Sequence, residues 1–381
     1  MTGRMAAASL LPSLPFGSRI LIVRLRSVGD IVLLTPALQL LKEWRPDLLL
    51  SVLVESRFQA LLEGNPDVAE VLLLDDSAGI EKIVSRARSI RKLRQRKFAL
   101  CVNLHGGPTS AFLTRFSAAP AKAGFAHFRS QASYDFPIPD ARAILNQETI
   151  HTAEHQASAF FWLGLPRREV PRARLFTGLE AEDWWRQKRL ELGLREDRSY
   201  ALVHPTALYA TKQWAPEHFA RLGGYLEREH DLVPVFSCGP GESATLDAVE
   251  AAAGPPIRRL QDAPLGKFIA AVAGARLFVG NDSGPAHIST ALGRPSVVIF
   301  GSSSSAIWGP WPRNGTGRIV QNFYECNPCP GDRCYRFDRP ECILSVRTEQ
   351  VQAAIEGLLK PSQHGQSEPT KENPPPSEDR L

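Results

Sequence analysis

The sequence predicts an α/β protein made of two doubly wound, parallel-sheet halves that face each other across a cleft. Three observations carry this. Strand and helix patterns alternate from Arg19 to Leu104, the same alternation restarts at Tyr200 and runs to Phe300, and a looser stretch bent by Pro137, Pro139, Pro166 and Pro171 lies between. Strict alternation means parallel strands with helices on both faces. A chain of 381 residues is long enough to give each half its own core.

In the first half, residues 19–25 read as a buried strand that turns through 26–30 into a helix ending near 44, with Ile31, Leu34, Leu38 and Leu41 on one face. Pro36 falls near the start of that helix, where a missing N–H is tolerated. Residues 48–54 are a second strand, 58–62 a short helix, 68–74 a third strand, 80–97 a basic helix and 99–104 a fourth strand. A helix at 152–163 occupies the looser stretch, and another at 178–192 leads into the second half. There, strands at 200–203, 232–236, 257–260, 276–279 and 296–300 alternate with helices at 216–229, 242–252, 265–273 and 285–292. These breaks divide the chain into a disordered leader (1–17), a first half (18–175), a second half (176–347), a helix expected to return to the first half (348–360) and a polar, proline-rich disordered tail (361–381). The leader is apolar like a weak signal sequence, but prolines interrupt it and no clear cleavage site follows; Met5 is an alternative start.

Composition narrows the class of function. With 43% hydrophobic and 22% charged residues and a net charge of +5, the chain lacks the footprint of a dedicated nucleic-acid binder. No run approaches the roughly eighteen apolar residues of a membrane span, which points to the cytoplasm. Arg86, Arg88, Arg91, Lys92, Arg94, Arg96 and Lys97 nevertheless crowd together without an intervening acid, either as a solvated helix face or as a patch for phosphates or an anionic membrane. Of six cysteines, Cys101 and Cys238 sit beside strand patterns as core residues, while Cys326, Cys329, Cys334 and Cys342 share one Pro- and Gly-rich loop. Four soft ligands so close suit a structural zinc or other thiolate-bound metal, a redox pair, or plain loop packing.

The stretch from Phe278 to Gly293 is an apolar strand, a glycine-punctuated turn and a small-residue helix. A turn of this kind aims backbone N–H groups at an anion. Asp282 would repel that anion and suits sugar or ribose hydroxyls better; alternatively, Asp282 or Ser283 simply caps the helix. Asp30, beside Gly29 at the end of the first strand, is placed to act as a general base or as an N-cap. Lys212, in the loop that starts at His204, could balance a diphosphate or be a surface lysine. Gly239-Pro240-Gly241 with Asp262 about twenty residues on imitates a dinucleotide fingerprint, although it follows the second strand of its half. There is no Asp-x-Asp, so lysine and backbone dipoles would have to neutralise a leaving diphosphate.

On the stretches Ile20–Arg24, Ser27–Asp30, Pro36–Leu38, Lys212–Glu217 and Gly280–His287, the chain resembles glycosyltransferase family 9, the ADP-heptose:lipopolysaccharide heptosyltransferases. The resemblance implies a GT-B fold and an inverting, metal-independent transfer of heptose or a related sugar from an ADP-sugar to a lipopolysaccharide core or similar glycolipid. It implies Asp30 as general base, with Ser27, Gly29 and His105 on the acceptor side. Thr206, Lys212, Glu242, Asp282, Ser283, Gly284 and His287 would hold the donor. No cofactor beyond the nucleotide sugar is implied. The expected protein is a monomer, cytoplasmic or peripheral on the inner membrane, with no nucleic-acid partner. The rival readings are an NAD(P)-dependent oxidoreductase built on the Gly239-Pro240-Gly241 turn and a non-catalytic sugar-nucleotide-binding module.

Overall fold

The computed structural model describes residues 7–75, 79–312 and 315–359. The first sheet contains β1 (Arg19–Val23), β2 (Leu49–Glu55), β3 (Glu70–Leu74), β4 (Leu100–Asn103), β5 (Ala121–Phe125) and β6 (Phe136–Ile138). The second contains β7 (Tyr200–His204), β8 (Val233–Ser237), β9 (Arg258–Leu260), β10 (Leu277–Asn281), β11 (Ser296–Phe300) and β12 (Gly317–Gln321). The spatial orders are β3-β2-β1-β4-β5-β6 and β12-β11-β10-β7-β8-β9. Every pairing is parallel. Counted from its own first strand, each half has the same order, 3-2-1-4-5-6, so each has a point where the winding reverses. Those points lie between β1 and β4 and between β7 and β10, and ligands of doubly wound sheets bind outside the strand ends there.

Central strands are apolar throughout because helices cover both faces; Ile20, Leu21, Ile22 and Val23 are all fully buried. Three strands are absent from the sequence reading. β5 is Ala-Lys-Ala-Gly-Phe, with Gly124 pressed against the Tyr134 ring. β6 carries Pro137, which only an edge strand accepts. β12 is a short edge strand with two exposed residues. The helix Pro108–Phe116 after β4 was not anticipated either.

The first helix is broken in two, Val28–Val32 and Thr35–Trp44. A continuous helix would have placed Pro36 in its interior; the break puts it in the first turn of a new helix, where no N–H is needed. The leader is folded from Ala7 onward, with Leu10 and Leu11 buried in the first-half core and Leu11 N bonded to Leu163 O at 3.0 Å. The candidate start at Met5 and the tail beyond 359 lie outside the described residues. The helix Thr348–Leu359 does not return to the first half. Val351 and Ile355 pack with Phe219, Leu222 and Ile299 of the second, since this apolar stripe covers the outer face of β11 and β12.

The halves are joined by side chains around the helix Thr152–Trp162. His151 Nε2 donates to Gly309 O at 3.0 Å, Thr152 Oγ1 to Ile307 O at 3.1 Å, and Trp311 Nε1 to Pro171 O at 2.9 Å. Among the described residues, no helix is long and apolar enough to cross a membrane.

Candidate active site

The turn after β1 is built on Ser27, the N-cap of the helix Val28–Val32. Its hydroxyl and N–H donate to Asp30 Oδ2 at 3.1 and 3.4 Å, so Asp30 is the third helical residue and not the cap. The other carboxylate oxygen pairs with the Arg24 guanidinium, which also donates to Leu104 O. Burial lowers the pKa of Arg24, and Asp30 opposes the shift. The Asp30 carbonyl is held by Gln156 Nε2 at 2.9 Å. His105 stands at the neighbouring strand end, where the buried Asn103 side chain accepts from its N–H at 2.9 Å. Burial, then Arg24 and Arg26, lower the His105 pKa, so the ring keeps its neutral form to lower pH than an ordinary imidazole.

In the second half, the buried Asn281 fastens the end of β10 to the loop after β7: its amide donates to Pro205 O at 2.8 Å and accepts from Trp214 N at 3.2 Å. Lys212 at the end of that loop meets Asp282 Oδ2 at 2.7 Å, and the Ser303 hydroxyl donates to the same oxygen. Asp282 is 6% exposed. Ser283, in extended conformation, opens the helix Gly284–Ala291 and donates back to Asn281 O at 3.3 Å; Pro285 has no N–H and Ala286 N bonds to Ser283 O at 3.1 Å, so in the first turn the Gly284 N–H is the donor left without a partner among the described residues.

The two strand-end turns touch. A Cβ on Gly29 would lie 2.7 Å from His287 Cδ2, and one on Gly284 would lie 2.7 Å from Val28 Cβ. Only glycine permits either approach. His287 is buried, its Nδ1 has no hydrogen-bond partner among the described residues, and burial lowers its pKa despite the neighbouring carboxylates of Asp282 and Asp30; Lys212 pushes the same way as burial. Ser27, Gly29, Asp30, Lys212, Asp282, Ser283, Gly284 and His287 therefore share one cleft floor, with His105 adjoining it through Arg24. Thr206 is set apart: it is buried, and its hydroxyl is engaged with His204 Nε2 at 2.9 Å.

Residues 86–336 match the family model for Glycosyltransferase family 9 (heptosyltransferase). The chain belongs to glycosyltransferase family 9. It is 28% identical over 343 residues to lipopolysaccharide heptosyltransferase 3 of Escherichia coli (strain K12), covering 88% of this chain and 96% of that protein. A family 9 glycosyltransferase from Veillonella parvula superposes with a TM-score of 0.78 at 22% identity, covering 90% of this chain and 97% of the other. An E. coli heptosyltransferase solved with ADP-2-deoxy-2-fluoro heptose gives 0.65 at 21% identity, over 89% and 99%. The fold is GT-B, and the protein is a glycosyltransferase.

For a family 9 glycosyltransferase the dinucleotide reading of Gly239-Pro240-Gly241 falls. The turn follows β8, beside the reversal point and not at it, and Glu242 folds back to accept from Gly239 N at 2.9 Å, filling the place where a pyrophosphate would sit. The zinc expectation is also not supported. The four clustered cysteines are free thiols that line a cavity with Tyr335 and Phe337, and among the described residues no group of three or more potential ligands converges on a metal-sized point. Their loop instead braces the Lys212 loop: Cys329 N bonds to Ser302 O at 3.0 Å, Ser302 N to Thr211 O at 3.3 Å, and Thr211 Oγ1 to Gly331 O.

Sequence reasoning passed over Arg24, Gln156, Asn281 and Ser303. Arg24 and Asn281 had a signal, a polar side chain closing an apolar strand just before a glycine turn. Gln156 and Ser303 reach the site from elements distant in sequence, and nothing local marks them.

Proposed function

We propose that this glycosyltransferase moves heptose, with inversion and without a metal, from ADP-heptose to a sugar of the lipopolysaccharide core or a similar glycolipid presented at the inner face of the cytoplasmic membrane. The reading is carried by one observation: the Asp30 turn of the first half and the Lys212–Asp282 pair of the second meet around His287. The curated relative is a lipopolysaccharide heptosyltransferase, and a solved neighbour holds an ADP-heptose analogue; both support the choice of donor and acceptor.

In this scheme Asp30 takes the proton of an acceptor hydroxyl, whose oxygen attacks the anomeric carbon as the bond to the diphosphate breaks. ADP leaves against Lys212 and the Gly284 N–H at the start of the helix Gly284–Ala291. Asp282 holds Lys212 in place and offers its remaining oxygen toward sugar hydroxyls. Neutral His287 packs against Gly29 and keeps the two turns in register.

Thermal unfolding with ADP-heptose, ADP and NAD(P) in parallel tests the reading, because only ligands of the native state raise the melting temperature. Saturable stabilisation by ADP and ADP-heptose, with heptose transfer that inverts the anomeric configuration and survives a chelator, is expected. Saturation by NAD(P) alone, or a retained anomer, would sink it.

A further inference from the structure

The helices Gly79–Gln95 and Pro108–Phe116 lie side by side on the first half, pinned at one end by Arg86 Nη2 to Thr109 Oγ1 at 2.8 Å and at the other by Arg94 Nε to Phe116 O at 3.1 Å. No Asp or Glu occurs anywhere from residue 82 to 134. The outward face of the first helix carries Arg88, Arg91, Lys92 and Arg94, all exposed. Beside them stand rings that a water-facing helix has no reason to keep: Phe112 is 42% and Phe116 36% exposed, their centroids 4.8 Å apart and their planes tilted by 57°, with Val84 52% exposed on the basic helix. Basic side chains flanking uncovered aromatic rings match the interface of an anionic bilayer, where the cations meet headgroups and the rings reach the acyl boundary.

The position of this face adds a second argument. Both helices begin at the cleft end of the sheet, and between Arg86 of the first and the start of the second lies a pocket lined by Arg26, Arg86, His105 and Thr109, with Glu55 and Asp75 also in its wall. His105 borders the Arg24–Asp30 pair. A headgroup held at the surface would thus be a short reach from Asp30.

We propose that the face formed by Arg88, Arg91, Lys92, Arg94, Phe112 and Phe116 docks the enzyme on an anionic lipid bilayer, with the acceptor side of the cleft turned toward the membrane. The inference deepens the glycolipid reading and names the surface that serves it.

The test is co-flotation of the full-length protein, without donor or acceptor, with vesicles of phosphatidylcholine alone or of equimolar phosphatidylcholine and phosphatidylglycerol. Binding should require phosphatidylglycerol and weaken with salt. The Arg88→Gln/Arg91→Gln/Lys92→Gln variant should lose about fivefold per charge, on the order of a hundredfold in all. The Phe112→Ser/Phe116→Ser variant should bind more weakly with an unchanged salt dependence. Both should keep their stabilisation by ADP, which separates a failure here from a failure of the transferase reading. Flotation that ignores phosphatidylglycerol or the triple substitution, or binding of single-stranded DNA in place of vesicles, overturns the proposal.

Discussion

Replacing Asp30 with Asn tests the proposed base, but it also disturbs the fold, and the structure tells the two apart. The Arg24 and Asp30 side chains are only 13% and 16% exposed. Removing one charge leaves a buried guanidinium without its counter-ion, which costs about 3–5 kcal/mol in well-buried pairs. Both groups retain some contact with water, so the loss expected here is the lower figure, about 3 kcal/mol. Turnover should fall by roughly 10²–10⁴ if Asp30 is the general base, while ADP still meets Lys212 and binds as before. The double variant Arg24→Met/Asp30→Asn has no orphaned charge. It should recover most of the stability and none of the turnover. Urea unfolding, ADP-dependent thermal stabilisation and initial transfer rates on the three proteins decide the matter. Turnover that returns with stability in the double variant makes Asp30 a purely structural partner of Arg24; turnover undiminished in the single variant removes it from the chemistry.

Lys212→Met should weaken ADP binding about tenfold to a hundredfold, the worth of a lost charge-assisted hydrogen bond, as read by titration calorimetry. In a double-mutant cycle with Asp282→Asn the coupling in unfolding free energy should exceed about 2 kcal/mol, because Asp282 is buried, where exposed pairs rarely reach 1 kcal/mol. Gly284→Ala forces a methyl against Val28 and should cost about 1–3 kcal/mol; Val28→Gly in the same chain should recover part of it, and an undamaged single variant would deny the close approach. Acid should destabilise the enzyme through His204, fully buried and bonded to Ser237 Oγ at 3.0 Å and to Thr206, its pKa pushed by burial down to about 4. The unfolded ring binds its proton near 6.5, so the contribution is complete above that value and shrinks as pH falls toward 4. Between pH 7 and 5 the loss is about 2 kcal/mol, and His204→Asn should flatten that part of the stability profile.

Both strand-end turns were legible in the sequence because their signals are local: a buried strand, a glycine turn and a helix start, at Val23 to Asp30 and again at Val279 to Pro285; that they lie at reversal points follows only from the strand order. What was lost depended on distant neighbours. β5 looks unlike a strand until Tyr134 covers Gly124, and β6 carries a proline tolerable only at an edge. The helix Thr348–Leu359 has an unambiguous apolar stripe, but a stripe states only that something covers it, and Phe219 and Leu222 happened to offer the matching face. Leu10 and Leu11 show the converse error, in which prolines suggested disorder although a leucine pair had a core to enter. For Asp282 the sequence held no hint of its partner: the lysine expected to await a phosphate and the acid expected to meet a sugar hold each other.

That pairing would let an acid stand beside the proposed phosphate site. The cleft floor has two carboxylates, and each has its own cation, Arg24 for Asp30 and Lys212 for Asp282. Between them His287 stays uncharged, because burial outweighs both acids. The resting site is therefore close to neutral, and an arriving diphosphate is drawn only by donors not yet spent. These are the Gly284 N–H at the start of the helix Gly284–Ala291 and the remaining hydrogens of the Lys212 ammonium, which has three to give and shares one with Asp282. A free lysine on that loop would have many rotamers to lose on binding phosphate. Fixed by Asp282, with Ser303 steadying the carboxylate and Asn281 the loop, it loses few, so the repulsion from the acid is offset by a cation already in position.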